Sequence, residues 1–237
     1  MVLSDRLRLS GYYNFNPDVM RLPQRQTAGS FLERDGSNLA SVIEDTRKVE
    51  DWAAKRAARY LATITGSVEF AEVQRIAGFD TLRFHVRRDG QTLEFDAASM
   101  SDGTLRAFAA LIAAFQQVPT IGSPSFVAIE EPETALHPAA MRALVAAFDE
   151  ATLRTQILLT THSPDLLDAV EVKPENVRVA QLVDGQTVIG PVDEAYVDIV
   201  RDHLSTLGGL ERERQLEPDL DDVERQAKLA RQEQTPS

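Results

Sequence analysis

The sequence contains no cysteine. That removes disulfides, thiolate metal sites and cysteine nucleophiles together, and it makes a reducing compartment comfortable. Lysine is scarce. The chain has only Lys48, Lys55, Lys173 and Lys228, and none of them follows a glycine. A loop of the form G-x-x-x-x-G-K-[ST], whose backbone amides and lysine cradle nucleotide phosphates, is therefore missing from these 237 residues. No apolar run approaches the length of a membrane span. The opening MVLSDRLRLS has no signal-peptide core. An excess of positive charge is also lacking. The net charge of −12 argues against a broad nucleic-acid or anionic-membrane surface, while leaving room for a local basic groove. The expectation is a soluble, cytoplasmic protein with no membrane contact.

What is present is an ordinary apolar fraction of 43%, enough for a real core in one sizeable domain or two small ones. Residues 8 to 36 read as irregular, with a turn signal at Asp35-Gly36. SNLASVIEDTR reads as a helix capped by Ser37. EDWAAKRAARYLATI reads as a second helix, with Trp52, Ala53, Arg56, Tyr60 and Ile64 near one face. SVEFAEVQRI, TLRFHVRR and QTLEFD alternate as strands, the last two forming a hairpin around Asp89-Gly90. GTLRAFAALIAAFQQ places Leu105, Phe108, Ile112 and Phe115 on a helical core face. SFVAIE, PAAMRALVAAFDEA and QILLTT then read as buried strand, helix with Pro138 in its first turn, and buried strand, which is the pattern of a parallel crossover. SPDLLDAV is a short helix and VRVAQLVDGQTVIG a hairpin around Asp184-Gly185. EAYVDIVRDHLSTL is a last helix of the fold. From Glu211 onward the charged chain is a solvated helix or a disordered tail.

The stretch FVAIEEPETALHP, residues 126 to 138, carries the chemistry. In open α/β sheets ligands lie beyond the carboxyl ends of parallel strands. A strand FVAI followed by Glu130 and Glu131 delivers two carboxylates to that rim. One suits Mg²⁺ through oxygen or water, the other a water attacking a phosphate. The alternative is a merely solvated strand end. QILLTTHSPDLL brings Thr160, Thr161, His162 and Ser163 to the same rim if the two strands are parallel. Upstream, SMSDGTLRAF leads into the apolar helix through Ser101, Asp102 and Gly103. A helix N-terminus there suits a phosphate, and an ordinary N-cap is the plain alternative.

These three motifs in this order resemble the C-terminal half of an ABC-type ATPase head of the RecF/SMC-like class. More narrowly, they resemble bacterial AAA-family ATPases with SDGT, EEPE-x-x-x-HP and THSP motifs. The resemblance covers roughly residues 11 to 209. It implies an α/β P-loop NTPase-type fold, a parallel sheet with flanking helices, present as its C-terminal portion with a helical and β-rich insertion. It implies ATP and Mg²⁺ as cofactors. Glu130 falls at the metal-coordinating place and Glu131 at the catalytic-base place. Ser101, Asp102, Gly103 and Thr104 match the signature that completes a partner subunit's ATP site. Glu133, Thr134, Ala135, Leu136 and His137 match the D-loop at the dimer interface. His162 matches the histidine that senses the γ-phosphate.

The chain departs from the broad ABC pattern. Glu130 stands where aspartate is usual, Asp102 where glycine is usual, bringing a like charge near the phosphates, and His137 where the D-loop aspartate is usual. The resemblance divides the chain into residues 1–98 with helical and hairpin segments, a motif lobe over 99–209, and a charged tail over 210–237. It places the absent phosphate loop upstream of this stretch or on a separate polypeptide. The partner implied is a second ATPase head, as a homodimer or as a subunit that bears the loop, and DNA enters by family analogy alone. A non-catalytic regulatory or scaffolding subunit is the alternative reading. A metal-dependent nuclease using Glu130, Glu131 and Glu133 is the third, and it leaves SDGT and THSP without a role. Asp219-Leu220-Asp221 resembles a Toprim D-x-D pair only in spacing, because charged flanks replace the buried strand that such a pair needs. His85 and His203 have no partners at ligand spacing.

Overall fold

The structure, a computed structural model, describes residues 9–27, 29–119, 122–169 and 172–233. The chain forms two compact units, Met1–Thr161 and His162–Ser237. The first unit contains, in order, β1 (Ser10–Tyr13), α1 (Pro17–Met20), β2 (Gln24–Arg25), α2 (Leu39–Val49) and α3 (Asp51–Thr65). Next come β3 (Val68–Ile76), β4 (Phe79–Arg88), β5 (Gln91–Asp96) and α4 (Asp102–Phe115). It closes with β6 (Phe126–Glu130), α5 (Met141–Ala151) and β7 (Gln156–Thr160). The second contains α6 (Pro164–Leu167), β8 (Arg178–Val183), β9 (Gln186–Pro191), α7 (Glu194–Arg201), α8 (Leu207–Arg212) and α9 (Leu220–Glu233). No helix among the described residues is long and apolar enough to cross a membrane.

The first unit is α/β. Its parallel sheet has the order β1-β6-β7, with Tyr13 beside Ile129 and Glu130 beside Thr160. β6 and β7 are adjacent and parallel, as their short helical connection predicts. β1 corrects the irregular reading of residues 8 to 36. Its pairing partner lies more than a hundred residues away, and the four-residue strand SGYY carries too little alternation to be read alone. α4 is buried almost all round, from Gly103 to Phe115, and packs against α3, α5 and β6. A helix apolar on every face belongs in the middle of a core, and the buried cluster from Tyr13 to Ala151 is assembled about it.

An antiparallel sheet of the same unit pairs β4 with β3 on one edge and with β2 and β5 on the other. The β4–β5 hairpin turns at Asp89 (φ 51°) and Gly90 (φ 79°) as expected, and Ala77-Gly78 makes a matching turn between β3 and β4. Three expectations are corrected. Asn38, not Ser37, precedes α2, and it makes no side-chain cap; its side-chain oxygen accepts from Glu33 N instead. Trp52 is 41% exposed, with the Arg154 guanidinium 4.5 Å from its ring centroid, and the buried face of α3 is Ala53, Ala54, Ala57 and Leu61. β7 is a sheet edge with alternate residues exposed, not a buried strand, because it pairs with β6 alone among the described strands.

In the second unit β8 and β9 form the expected hairpin at Asp184-Gly185. The helix from Glu194 ends at Arg201, two residues before His203 takes φ 57°, and the chain resumes as α8. The charged C-terminal stretch is a helix. Asp219 accepts from Asp222 N at its start, so the Asp219-Leu220-Asp221 pair serves a helix N-terminus.

Tyr13 shows how tightly the core closes over β1. Its phenol is fully buried and accepts from Gln116 Nε2 at 2.9 Å, while Gln116 Oε1 accepts from Leu32 N. Burial, with Glu33 adding to it, pushes the phenol up to about 12 against the hydrogen bond from Gln116. A folded-state value above the ordinary ~10 of a tyrosine means that only the unfolded chain ionises between the two. The stability contributed is therefore intact below pH ~10 and is lost as pH rises toward 12. Denaturant unfolding followed across this window will show falling stability, and Tyr13→Phe will flatten that fall.

Candidate functional site

β6 reaches the rim through its neighbours. With Val127, Ala128 and Ile129 buried, the strand is fixed on both edges and its next residues emerge at the carboxyl end. Glu130 is half-buried there. Its Oε2 accepts from Asn14 Nδ2 at 2.5 Å, and its Oε1 lies 3.4 Å from Arg34 Nη2. Glu131 leaves the strand at φ 41°, its N–H still donating to Thr160 O at 3.0 Å and its carboxylate exposed. The simple alternation of strand side chains thus stops at Glu130, and the backbone turn itself separates the two carboxylates.

Residues 131–135, which include those expected to form a D-loop, make a strap pinned at three points. Thr134 N donates to Glu131 O and Thr134 Oγ1 to Glu131 Oε2 at 3.2 Å. Glu133, buried, accepts from Thr161 Oγ1 at the end of β7. Ala135, at φ 66°, lies with its carbonyl against Gly103. A Cβ on Gly103 would overlap Ala135 O, so the signature glycine is required by a close backbone approach rather than by its own φ. His137 Nδ1 accepts from Ala139 N at 3.2 Å and caps a short 3₁₀ turn at Pro138–Ala140, ahead of α5. Leu136 packs against the core.

The signature turn opens α4. Ser101 Oγ accepts from Thr104 N at 3.2 Å and contacts Thr104 Oγ1 at 2.8 Å, a hydroxyl cap at the helix start. Asp102 does not present an uncompensated charge. Arg21 donates to Asp102 Oδ1 at 2.5 Å, to Met100 O at 2.9 Å and to Asp18 Oδ1 at 2.9 Å. The hydrogen bond to Asp102 raises the Arg21 pKa. His162 is exposed and opens the second unit, directly before Ser163, which caps α6. In that unit Arg212 bridges Asp165 and Asp168, and Gly208 N donates to Asp168 Oδ1. α6 is thereby clasped to α8.

Sequence reasoning missed Asn14, Arg21, Arg34 and Arg106. Arg106 Nη1 donates to Phe15 O at 2.6 Å, and with Arg34, Asn14, Asn16 and Asp35 it lines a cavity of about 590 Å³ beyond the end of β1. Arg106 sits in the helix that SMSDGTLRAF opens without being singled out there, and Asn14 comes beside Glu130 only through the long-range pairing of β1 with β6. Among the described residues no three His, Cys, Asp or Glu side chains converge. The donor set at the end of β6 is one carboxylate with a carboxamide beside it. Hard oxygen donors of this kind fit Mg²⁺, which keeps several waters and takes phosphate oxygens as further ligands.

A family described as "AAA domain, putative AbiEii toxin, Type IV TA system" matches residues 9–168. No curated protein sequence matches the chain. Among solved structures, one reported under ATP-driven dimerisation and DNA-stimulated activation of SMC ATPases is 13% identical over 69% of this chain and 98% of its own, at a TM-score of 0.47. An Smc head domain with a coiled coil and joint from Pyrococcus yayanosii is 15% identical over 67% of this chain and 30% of its own, at 0.46. An Smc head bound to the C-winged helix domain of ScpA is 12% identical over 76% and 54%, at 0.49.

The Gly103 contact generates a test. Gly103→Ala must push the Ala135 carbonyl away, an overpacking cost of about 1–3 kcal/mol. Thermal melts will show a lower Tm for Gly103→Ala, whereas Ser101→Ala, which removes only the exposed cap, will cost about 1 kcal/mol.

Proposed function

Because the chain belongs to the AAA-domain family whose pattern spans residues 9–168, we propose that it supplies the Walker B, signature, D-loop and switch elements of an ATP-hydrolysing head. The observation that carries this reading is the emergence of Glu130 and Glu131 at the carboxyl end of β6, with the Glu131–Ala135 strap seated against the signature glycine. In this reading Mg²⁺, held through Glu130 and phosphate oxygens, supplies charge neutralisation at the transferring phosphoryl group. Glu131, exposed and steadied by Thr134, orients and deprotonates the attacking water. His162 contacts the γ-phosphate. Ser101 to Thr104 and the D-loop complete the ATP site of a second head. The nuclease reading is disfavoured by Glu133, which is buried and engaged by Thr161 rather than offered to a metal.

The phosphate loop has to come from outside the residues described. A sheet face supports a partner segment. Tyr12, Ala128 and Leu158 lie in register across β1, β6 and β7, and Tyr12 is 51% and Leu158 47% exposed. The opposite row, Tyr13, Ile129 and Leu159, packs in the core. Parallel sheets are ordinarily covered on both faces; Ala128 at the centre of the row is buried, so a segment bearing the phosphate loop is the fitting cover for its two exposed ends, Tyr12 and Leu158.

Two outcomes test the function. The chain alone will bind Mg·ATP weakly in calorimetric titration, since the lysine and amide cradle is absent; low-micromolar affinity would reveal a phosphate site of another kind. With a loop-bearing partner, Glu131→Gln will cut ATP turnover by about two to four orders of magnitude, the usual worth of a positioned general base. ATP binding will persist and the ATP-bound dimer will accumulate. Wild-type turnover in Glu131→Gln would remove Glu131 from the role of base.

A further inference from the structure

Glu130 already has a cation. The Arg34 guanidinium lies 3.4 Å from Oε1, and the other oxygen is taken by the Asn14 amide. Both carboxylate oxygens are therefore engaged. Each oxygen keeps a further lone pair for a divalent ion, which would then sit beside both donors, and Arg34 is the looser of the two. Its contact is the longer, its side chain is 66% exposed, and an exposed pair of this kind contributes little holding energy. Loss of that contact does not remove Arg34 from the site. Asn14 N donates to Arg34 O at 2.9 Å, which fixes the Arg34 backbone beside the rim. The guanidinium also lies 5.7 Å from the centroid of the Tyr12 ring, an aromatic face on which a cation can rest.

The electrostatic consequence depends on what accompanies the metal. A bare divalent cation at Glu130 has to settle beside a positive group already there, a penalty from like charge. A metal carrying a polyphosphate brings its own negative charge, and the Arg34 guanidinium beside it has a fork of donors suited to phosphate oxygens. Arg106 lines the same cavity, where the two arginines stand against the carboxylates of Glu33 and Asp35.

We propose that Arg34 is a specificity-determining residue: it shields Glu130 from a bare divalent cation and admits the metal when it arrives bound to a polyphosphate. This rests on the reading of Glu130 as the metal carboxylate. The specificity would lie in the side chain of an exposed arginine outside every recognised motif, and it would bias the site toward metal–nucleotide over free metal.

The test uses Mn²⁺ as probe on the full ¹⁵N-labelled chain, following paramagnetic broadening of the Asn14, Glu130 and Glu131 amides. With Mn²⁺ alone, Arg34→Ala will lower the midpoint two- to fivefold, and Arg34→Lys will stay near wild type. With Mn²⁺ bound to tripolyphosphate, Arg34→Ala will raise the midpoint two- to fivefold. A shift of the same sign in both titrations, or none in either, overturns the proposal. Glu130→Gln separates this from the underlying reading: if it leaves the broadening of these amides unchanged, Glu130 is not the metal carboxylate, and the assignment falls along with the proposal. Arg34 is mostly exposed, so the substitution does not threaten folding, and unchanged remote amide shifts will verify it.

Discussion

Everything at the site hangs on β6 being held from both sides. A strand paired on two edges cannot fray, so its last residue, Glu130, and the turn at Glu131 are set by hydrogen bonds made far along the chain. β1 contributes Asn14 to that end, and β7 contributes the Thr160 carbonyl to Glu131 N–H and the Thr161 hydroxyl to Glu133. Loss of either neighbour would leave carboxylates at a strand end with nothing to fix their direction. The apolar run Val127–Ile129 is what makes this possible, since burial on both faces is the usual condition of a central parallel strand.

The second constraint is a backbone contact. Gly103 brings the start of α4 against the Ala135 carbonyl, and that carbonyl belongs to the same short strap that carries Thr134 back to Glu131. Two non-glycine residues of the strap, Glu131 and Ala135, take positive φ, an uncommon conformation that surrounding contacts must hold in place. Signature turn and strand-end carboxylate are thus joined through five residues of pinned backbone.

The motif-bearing elements were legible in the sequence because their signals are local. FVAI bounded by glutamates, the helix of GTLRAFAALIAAF, the crossover helix and the Asp-Gly hairpins each carry their own periodicity or turn chemistry. β1 was not legible, since its strand character comes from pairing with β6 and not from alternation. The same gap hid Asn14 and Arg34, which meets the Asn14 backbone, while Arg21 was hidden by its long-range contact with Asp102. Trp52 was misplaced for a different reason. Helical spacing puts it near the core face, yet the cation–π contact with Arg154 holds it at the surface. The cap at Ser101 was legible as geometry, but a hydroxyl that caps a helix and one that meets a nucleotide look the same in a sequence.

The acidity of the chain reads differently once its partners are known. A net charge of −12 suggests a surface hostile to phosphate, and Asp102 beside the signature seems to sharpen that conflict. Yet arginines meet both of the awkward carboxylates: Arg21 pairs with Asp102 and Arg34 with Glu130. Bulk charge governs long-range attraction and solubility, while a ligand at contact distance feels the few groups beside it. At that range the turn at Asp102 is paired with Arg21, and the strand end at Glu130 with Arg34. Bulk acidity therefore does not describe these two positions, where an arginine that the fold brings there answers Asp102 and Glu130, while Glu131 is met instead by the Thr134 hydroxyl.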